Sequence, residues 1–273
     1  MTDGSVRQAI ASAAARFGFS ATPRLDAELL AAHALGVTRE ALILRHLGDP
    51  APEGFAALVA RRAAHEPVAY ITGVRAFWTI ELAVGPGVLV PRADTETLLE
   101  AAVGHFGGRS PRTVLDLGTG SGALLLAALD QWPEARGVGV DRSAAALAVA
   151  RANAARLGMA GRARFAEGGW ESGQGSYDLI LCNPPYVAET EALAPEVAAF
   201  EPASALYAGP DGLSDYRVLA PLIARWVAPG GVACVEIGHE QGEPAAALFR
   251  AEGLTVAVRR DLGGRDRCLV ATP

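Results

Sequence analysis

Cysteine is scarce in this chain, with three in 273 residues at Cys182, Cys234 and Cys268. They lie far apart in apolar, strand-like runs and have no metal-ligand spacing. That excludes a disulfide scaffold or a zinc module and predicts buried free thiols in a reducing cytosol. Closely spaced histidines are also lacking. His33, His46 and His65 have no partner His or Cys nearby in sequence, so capping or surface roles are expected and no metal site. Basic charge is in deficit: 24 Lys and Arg against 30 Asp and Glu leave a net charge of −6, which argues against holding a nucleic-acid backbone by a basic face. No apolar stretch reaches membrane-spanning length, because Gly, Pro or charge interrupts the richest ones. From Met1 to Ile10 no basic segment precedes an apolar run, so no signal peptide is expected and the protein is placed in the cytoplasm. No repeat of solenoid length occurs.

What is present is apolar residues at 51% with 20% charged, enough for a sizeable core. The length allows one large domain or two modest ones, and a monomer is the default. Val6 to Phe17, Pro23 to Leu35, Thr38 to Leu47 and Pro52 to Ala64 read as short helices, which must pack as a bundle because none is stable alone. Near Pro67 the pattern changes. Val68 to Ile71, Phe77 to Ile80 and Leu82 to Val84 read as strands of a bridging hairpin, punctuated by Gly73 and Gly85. Pro91 opens a polar segment leading into a helix around Thr97 to Phe106.

From Thr113 onward strands and helices alternate. Strands are predicted at Thr113–Leu117, Gly137–Val140, Ala163–Ala166, Tyr177–Cys182, Val232–Ile237, Leu254–Val258 and Cys268–Ala271. Helices are predicted at Ala123–Gln131, Ala144–Leu157, Asp215–Val227 and Glu243–Glu252. Such repeated units with apolar strands imply an α/β fold, a mostly parallel sheet covered on both faces. The expected organisation is a helical domain over residues 1–66, a linking β-hairpin over 67–90 and an α/β domain over 91–273.

Three strand ends carry chemistry. The first is Asp116-Leu117-Gly118-Thr119-Gly120-Ser121-Gly122, where glycines permit a sharp turn and close approach of a ligand to the main chain. Its third glycine comes one residue earlier than in a dinucleotide fingerprint. The second is Asp141, about twenty residues on, which suits ribose hydroxyls but equally suits the N-cap of the next helix, a role for which Ser143 competes. The third is Asn183-Pro184-Pro185-Tyr186. This stretch reads either as a turn that ends a strand or as a grip on a planar group bearing an NH2. The Asn183 side-chain oxygen and the Pro184 carbonyl can both accept from such a group, and Tyr186 can lie flat against it. Trp170, just past the third strand, is placed either to stack on adenine or as a partly buried surface ring. Open α/β sheets bind ligands at this edge.

Together these segments resemble the release-factor glutamine methyltransferases (the PrmC/HemK family). The likeness runs from about Arg61 to the C-terminus. It includes Arg61-Arg62, His65 to Gly73, Phe77-Trp78, Pro91 to Glu96, Asp116 to Gly122 and Asn183 to Tyr186. It continues through Glu201-Pro202 with Ala205-Leu206, Asp211-Gly212-Leu213 with Tyr216-Arg217, and Glu236-Ile237-Gly238 with Gln241-Gly242. The resemblance implies a Rossmann-like methyltransferase domain with a seven-stranded sheet that uses S-adenosylmethionine. It implies transfer to the glutamine of the Gly-Gly-Gln motif in bacterial peptide chain release factors 1 and 2, giving N5-methylglutamine and S-adenosylhomocysteine. By position, Gly118, Thr119, Gly120, Ser121, Gly122, Asp141, Trp170 and Asn183 would bind the cofactor. Asn183 and Pro184 would be catalytic, Asn183 to Tyr186 would hold the glutamine, and the helical domain would dock the release factor. No nucleic acid, membrane or metal is implied. Two positions depart from the family pattern: Ala93 stands where a proline is usual, and Gly169 where an acid or polar residue is common. Adenine N6-methyltransferases share the glycine and Asn-Pro-Pro-Tyr segments, yet neither a basic groove nor a recognition domain is evident here. A binding module without catalysis would be expected to lose these segments, and a nicotinamide oxidoreductase fits the glycine spacing less well.

Overall fold

The structure, a computed structural model, describes residues 4–273. Met1 to Asp3, with which the expected helical domain and the segment read for a signal peptide begin, lie outside the described residues. The chain divides into two compact units, one reaching from the N-terminus to Val74 with Ala194–Phe200 added, the other formed by Arg75–Leu193 and Glu201–Pro273.

The first unit is helical. Helix α1 (Val6–Ala14) opens with a capping box in which Ser5 and Gln8 satisfy each other's backbone N–H. Helix α2 (Pro23–Leu35) starts on Pro23 and stops at Gly36, whose φ of 65° is left-handed. Helix α3 (Arg39–Ala41), capped by Thr38, continues into a wider turn over Leu42–His46. Helix α4 (Phe55–Ala63) and the five-residue α5 (Val68–Thr72) complete the bundle. Val6, Ile10, Phe17, Leu30, Leu42, Phe55, Val59 and Ile71 form one core. The Arg62 guanidinium is buried beside it, paired with Asp26 at 2.8 Å and with Glu196 at 2.7 Å.

Helix α5 corrects the strand expected at Val68 to Ile71. The local bias toward strand of Val and Ile is overridden because Ala69, Tyr70 and Ile71 are buried one after another, without the alternation of a half-exposed strand, while Gly73 at φ 77° ends the turn. The hairpin itself is displaced from its expected place. Its strands are β1 (Val74–Phe77) and β2 (Ile80–Ala83). Trp78 and Thr79, expected within a strand, form the turn. Trp78 sits at φ 56° and its N–H donates to Glu96 Oε1 at 2.9 Å.

The second unit continues with a 3₁₀ turn (Ala93–Thr95) that leads into α6 (Glu96–Phe106). It then alternates β3 (Thr113–Leu117), α7 (Ala123–Gln131), β4 (Arg136–Asp141), α8 (Ala144–Arg156), β5 (Ala163–Glu167) and β6 (Tyr177–Cys182). Helix α9 (Pro195–Phe200), which the sequence reading did not foresee, belongs to the first unit. The chain ends with α10 (Ser214–Trp226), β7 (Val227–Glu236), α11 (Gly242–Ala251), β8 (Thr255–Arg260) and β9 (Asp266–Thr272). The seven strands lie in the order β5-β4-β3-β6-β7-β9-β8. Strands β3 to β7 pair in parallel, and β9 runs antiparallel between β7 and β8. Chain order reverses at β3, which has β4 on one side and β6 on the other. That is where the carboxyl ends of an open sheet leave a crevice. Tyr216, Leu219 and Ile223 of α10 and Phe249 of α11 are buried in the same core as β6 and β7.

Candidate active site

The glycine turn is anchored from beneath. Asp116, 1% exposed near the end of β3, accepts from the Thr119 hydroxyl at 2.5 Å and from the Leu125 N–H at 3.2 Å. Burial pushes its carboxyl up to about 7, against the lowering effect of those two hydrogen bonds. Gly118 and Thr119 donate their N–H groups to the Val140 carbonyl, tying the turn to β4. Gly120 donates to Asp141 Oδ2 at 2.8 Å and Gly122 donates to the Thr119 carbonyl. The turn therefore directs these four amides into the protein. A phosphate would have to compete for them, whereas a neutral nucleoside would not.

Asp141 resolves the choice left open by its position. Ser143 is the N-cap of α8, its hydroxyl accepting from the Ala146 N–H. Asp141 braces the turn instead, with Oδ1 accepting from the Ser143 N–H at 2.9 Å. Each carboxylate oxygen thus has one protein donor and a second lone pair to offer a ligand hydroxyl. Trp170 heads a 3₁₀ turn (Trp170–Ser172) and is half-buried, its indole N–H donating to Asp215 Oδ1 at 2.7 Å. The ring closes on Gly118, where a Cβ would stand 3.1 Å from it in a residue already at φ 72°. No side chain other than glycine's fits between them without displacement.

Asn183 to Tyr186 follow β6 directly. The Asn183 side-chain NH2 donates to the Thr95 hydroxyl oxygen at 3.3 Å. The Tyr186 hydroxyl donates to Glu236 Oε1 at 3.2 Å, and the Tyr186 carbonyl accepts from Gln241 Nε2 at 2.9 Å. Glu236, at the end of β7, is 1% exposed. Burial raises its carboxyl to about 7, with Thr95, Arg267 and Tyr186 pulling the other way. Burial and the nearby Glu236 charge push the Tyr186 phenol upward.

These elements meet in a cavity of about 240 Å³ bounded by Gly118, Gly120, Asp141, Trp170, Asn183 and Pro185. Thr119, Ser121, Gly122, Pro184 and Tyr186 do not line it: Thr119 and Ser121 are buried under the turn. Residues 87–89, Arg142 and Ser204-Ala205 also border the cavity. Residues 87–89 and Arg142 lie in loops and Ser204-Ala205 in a short 3₁₀ turn, all without a distinctive local pattern, so sequence reasoning gave no reason to choose them as cavity-lining residues. Thr95, buried at 4%, falls in the Pro91 to Glu96 segment of the resemblance, where sequence reasoning assigned it no site role of its own. Ala93 is the first residue of that turn, and Gly169 borders the cavity next to Trp170. A carboxylate with free lone pairs, an indole face and the apolar Val140, Ala146 and Leu89 suit an adenosyl group. Among the described residues no group of three His, Cys, Asp or Glu could hold a metal ion, and no helix is long and apolar enough to cross a membrane.

Known proteins resemble this chain over most of its length. Residues 8–73 match the family model described as the PrmC N-terminal domain, and residues 93–204 match the methyltransferase small domain. A release factor glutamine methyltransferase of Rhodospirillum rubrum is 46% identical, over 91% of this chain and 78% of that protein. The Mycolicibacterium smegmatis protein of the same name is 43% identical, over 98% of this chain and 97% of its own length. Among solved structures, a methyltransferase from Pyrococcus furiosus superposes with a TM-score of 0.53 at 15% identity, covering 78% of this chain and 95% of that one, a likeness of fold.

Proposed function

The chain belongs to the release factor glutamine methyltransferase family, and we propose that its substrate is the glutamine of the Gly-Gly-Gln motif in bacterial peptide chain release factors 1 and 2. The products would be N5-methylglutamine and S-adenosylhomocysteine. S-adenosylmethionine is the methyl donor, and when bound it supplies an electrophilic methyl on a sulfonium. Every other part of the reaction falls to this chain's residues.

Gly118 to Gly122 shape the floor on which the donor lies, Asp141 takes its ribose hydroxyls and Trp170 covers its base. Asn183 borders the same cavity and faces the substrate. A glutamine side-chain nitrogen is a poor nucleophile because its lone pair is delocalised into the carbonyl. Two acceptors on its N–H groups, Asn183 Oδ1 and the Pro184 carbonyl, orient it for in-line attack and favour the positive charge that develops on nitrogen. Tyr186 and Pro185 hold the planar amide. The methylated nitrogen then gives up its proton to water or a nearby acceptor, so no strong general base is needed.

The observation that carries this reading is the Asn183–Thr95 hydrogen bond at 3.3 Å. It engages the donor end of the Asn183 amide and leaves the acceptor end for a substrate N–H. Residues 1–66 would dock the release factor, residues 67–90 would link, and residues 91–273 would carry the chemistry. The protein would act as a monomer in the cytoplasm, without nucleic acid. Incubation with S-adenosylmethionine and a release factor, followed by peptide mapping in a mass spectrometer, tests the assignment. One added methyl on the Gly-Gly-Gln glutamine is expected. No methyl there, with methyl on adenine in a parallel nucleic-acid assay, would overturn it.

A further inference from the structure

We propose that Thr95 and Glu236 are positioning residues that decide which end of the Asn183 amide faces the substrate. The inference rests on the proposed reaction, in which Asn183 must present its oxygen.

The two ends of an amide have nearly the same shape, so their direction is set by hydrogen bonds. Asn183 lies beside the Thr95 oxygen at 3.3 Å. A threonine hydroxyl has one proton and two lone pairs. Thr95 is buried in the turn before α6, and its side chain stands against the Glu236 carboxylate, whose charged form it favours. Glu236 Oε2 is buried with no hydrogen-bond partner, and an ionised carboxylate only accepts, so it is open to the Thr95 proton. The Thr95 proton therefore turns toward Glu236 and a lone pair turns toward Asn183. Only the NH2 end can meet a lone pair, so Oδ1 is left facing the cavity. The same carboxylate accepts from the Tyr186 hydroxyl at 3.2 Å. One buried acid on β7 thus orients both ends of the Asn-Pro-Pro-Tyr segment that follows β6.

Protonation reverses the relay. A neutral Glu236 can donate to Thr95, whose proton then turns to Asn183 and draws the amide oxygen inward. The NH2 would then face the substrate NH2, donor against donor. The groups facing Glu236 are Asp94 and Thr95 from the turn before α6, Cys182 and Tyr186 from β6 and its loop, and Arg267 and Cys268 from β9. Tyr216 of α10 donates to the Glu236 main-chain carbonyl at 3.0 Å. Arg267 favours the charged carboxylate, while Asp94 and burial oppose it.

The test uses the full chain with S-adenosylmethionine and a release factor, and compares wild type with Thr95→Val, Thr95→Ser and Glu236→Gln. Thr95→Val should lower kcat about 30-fold, short of the roughly hundredfold that follows loss of a direct transition-state contact. Its affinity for S-adenosylmethionine should stay within about twofold, since Thr95 is outside the cavity. Thr95→Ser keeps the hydroxyl and should restore kcat to within about threefold. Wild-type kcat should fall as pH drops through the Glu236 range near 7, and Glu236→Gln should lack that acid limb. A second readout needs no substrate: the 15N side-chain amide signals of Asn183, identified by their loss in Asn183→Ala. They should shift with pH in wild type and stay fixed in Thr95→Val. Signals that are pH-independent in wild type, or a folded Thr95→Val with wild-type kcat, overturn the inference. If Glu236→Gln does not fold, the Thr95 pair and the amide signals decide. Failure of the wild type to methylate a release factor would overturn the proposed function alone, because the amide signals are recorded without it.

Discussion

The indole N–H of Trp170 donates to Asp215 at 2.7 Å, which holds the ring against the Cα of Gly118 from a helix 45 positions further along the chain. Ring and glycine form one wall of the cavity. Trp170→Ala should weaken S-adenosylmethionine binding about tenfold, equivalent to ~1.4 kcal/mol. Trp170→Phe, which keeps an aromatic face but loses the anchor, should lose less. Gly118→Ala combines a left-handed backbone with a methyl pressed on the ring and should bind at least as poorly as Trp170→Ala. Titration calorimetry with the cofactor measures all three, and a Trp170→Ala protein that binds like wild type would remove the ring from the site.

Asp141 has a double duty, bracing the Gly120 and Ser143 amides while offering lone pairs to the cavity. Asp141→Ala should raise the cofactor Kd by about 10- to 100-fold and cost about 1–3 kcal/mol of stability through the two orphaned amides. Calorimetry and chemical denaturation separate the two effects. Asp141→Asn, which keeps an acceptor for one amide, should retain more stability than affinity.

In the helical unit, Arg62 pairs with Asp26 where both are almost sealed from water, with side-chain exposures of 5% and 9%. Arg62→Ala strands a buried carboxylate and should destabilise that unit by about 3–5 kcal/mol. Cofactor affinity should be unchanged, since no described residue of this unit lines the cavity. Urea unfolding monitored alongside cofactor titration reads both quantities.

Two buried carboxyls set the pH dependence of stability. Burial pushes the Asp116 and Glu236 carboxyls up to about 7 in the folded protein, from ordinary values of 3.8 and 4.5. Between those limits the folded state holds protons that the unfolded state has released, so stability falls as pH rises. The contribution is complete below about pH 4 and is lost by the time pH has passed 7. Unfolding free energies measured at pH 5, 6 and 8 should decline in that order. Asp116→Asn and Glu236→Gln should each flatten the slope, and a wild-type slope in both variants would contradict the assignment.

The strands and helices of the α/β unit were legible because each carries its own signal. Residues 179–182 are an unbroken apolar run, and in the helical unit Pro23–Leu35 likewise has its start and stop written in Pro23 and Gly36. Val68–Thr72 misled because Val and Ile favour strands locally, whereas their burial in a helical core is a long-range fact. The pairing of Trp170 with Asp215, and of Thr95 with Asn183, 88 positions apart, leaves no trace in either local pattern.

By itself the sequence determined that a glycine turn, an acid and an Asn-Pro-Pro-Tyr segment stand at three strand ends, because periodicity, glycine and proline act over a few residues. Tertiary structure alone decided that those ends meet around one cavity, that Ser143 rather than Asp141 caps α8, and that a buried acid on β7 accepts from the Tyr186 hydroxyl. Those outcomes depend on strand order and burial, which arise only when distant segments desolvate one another.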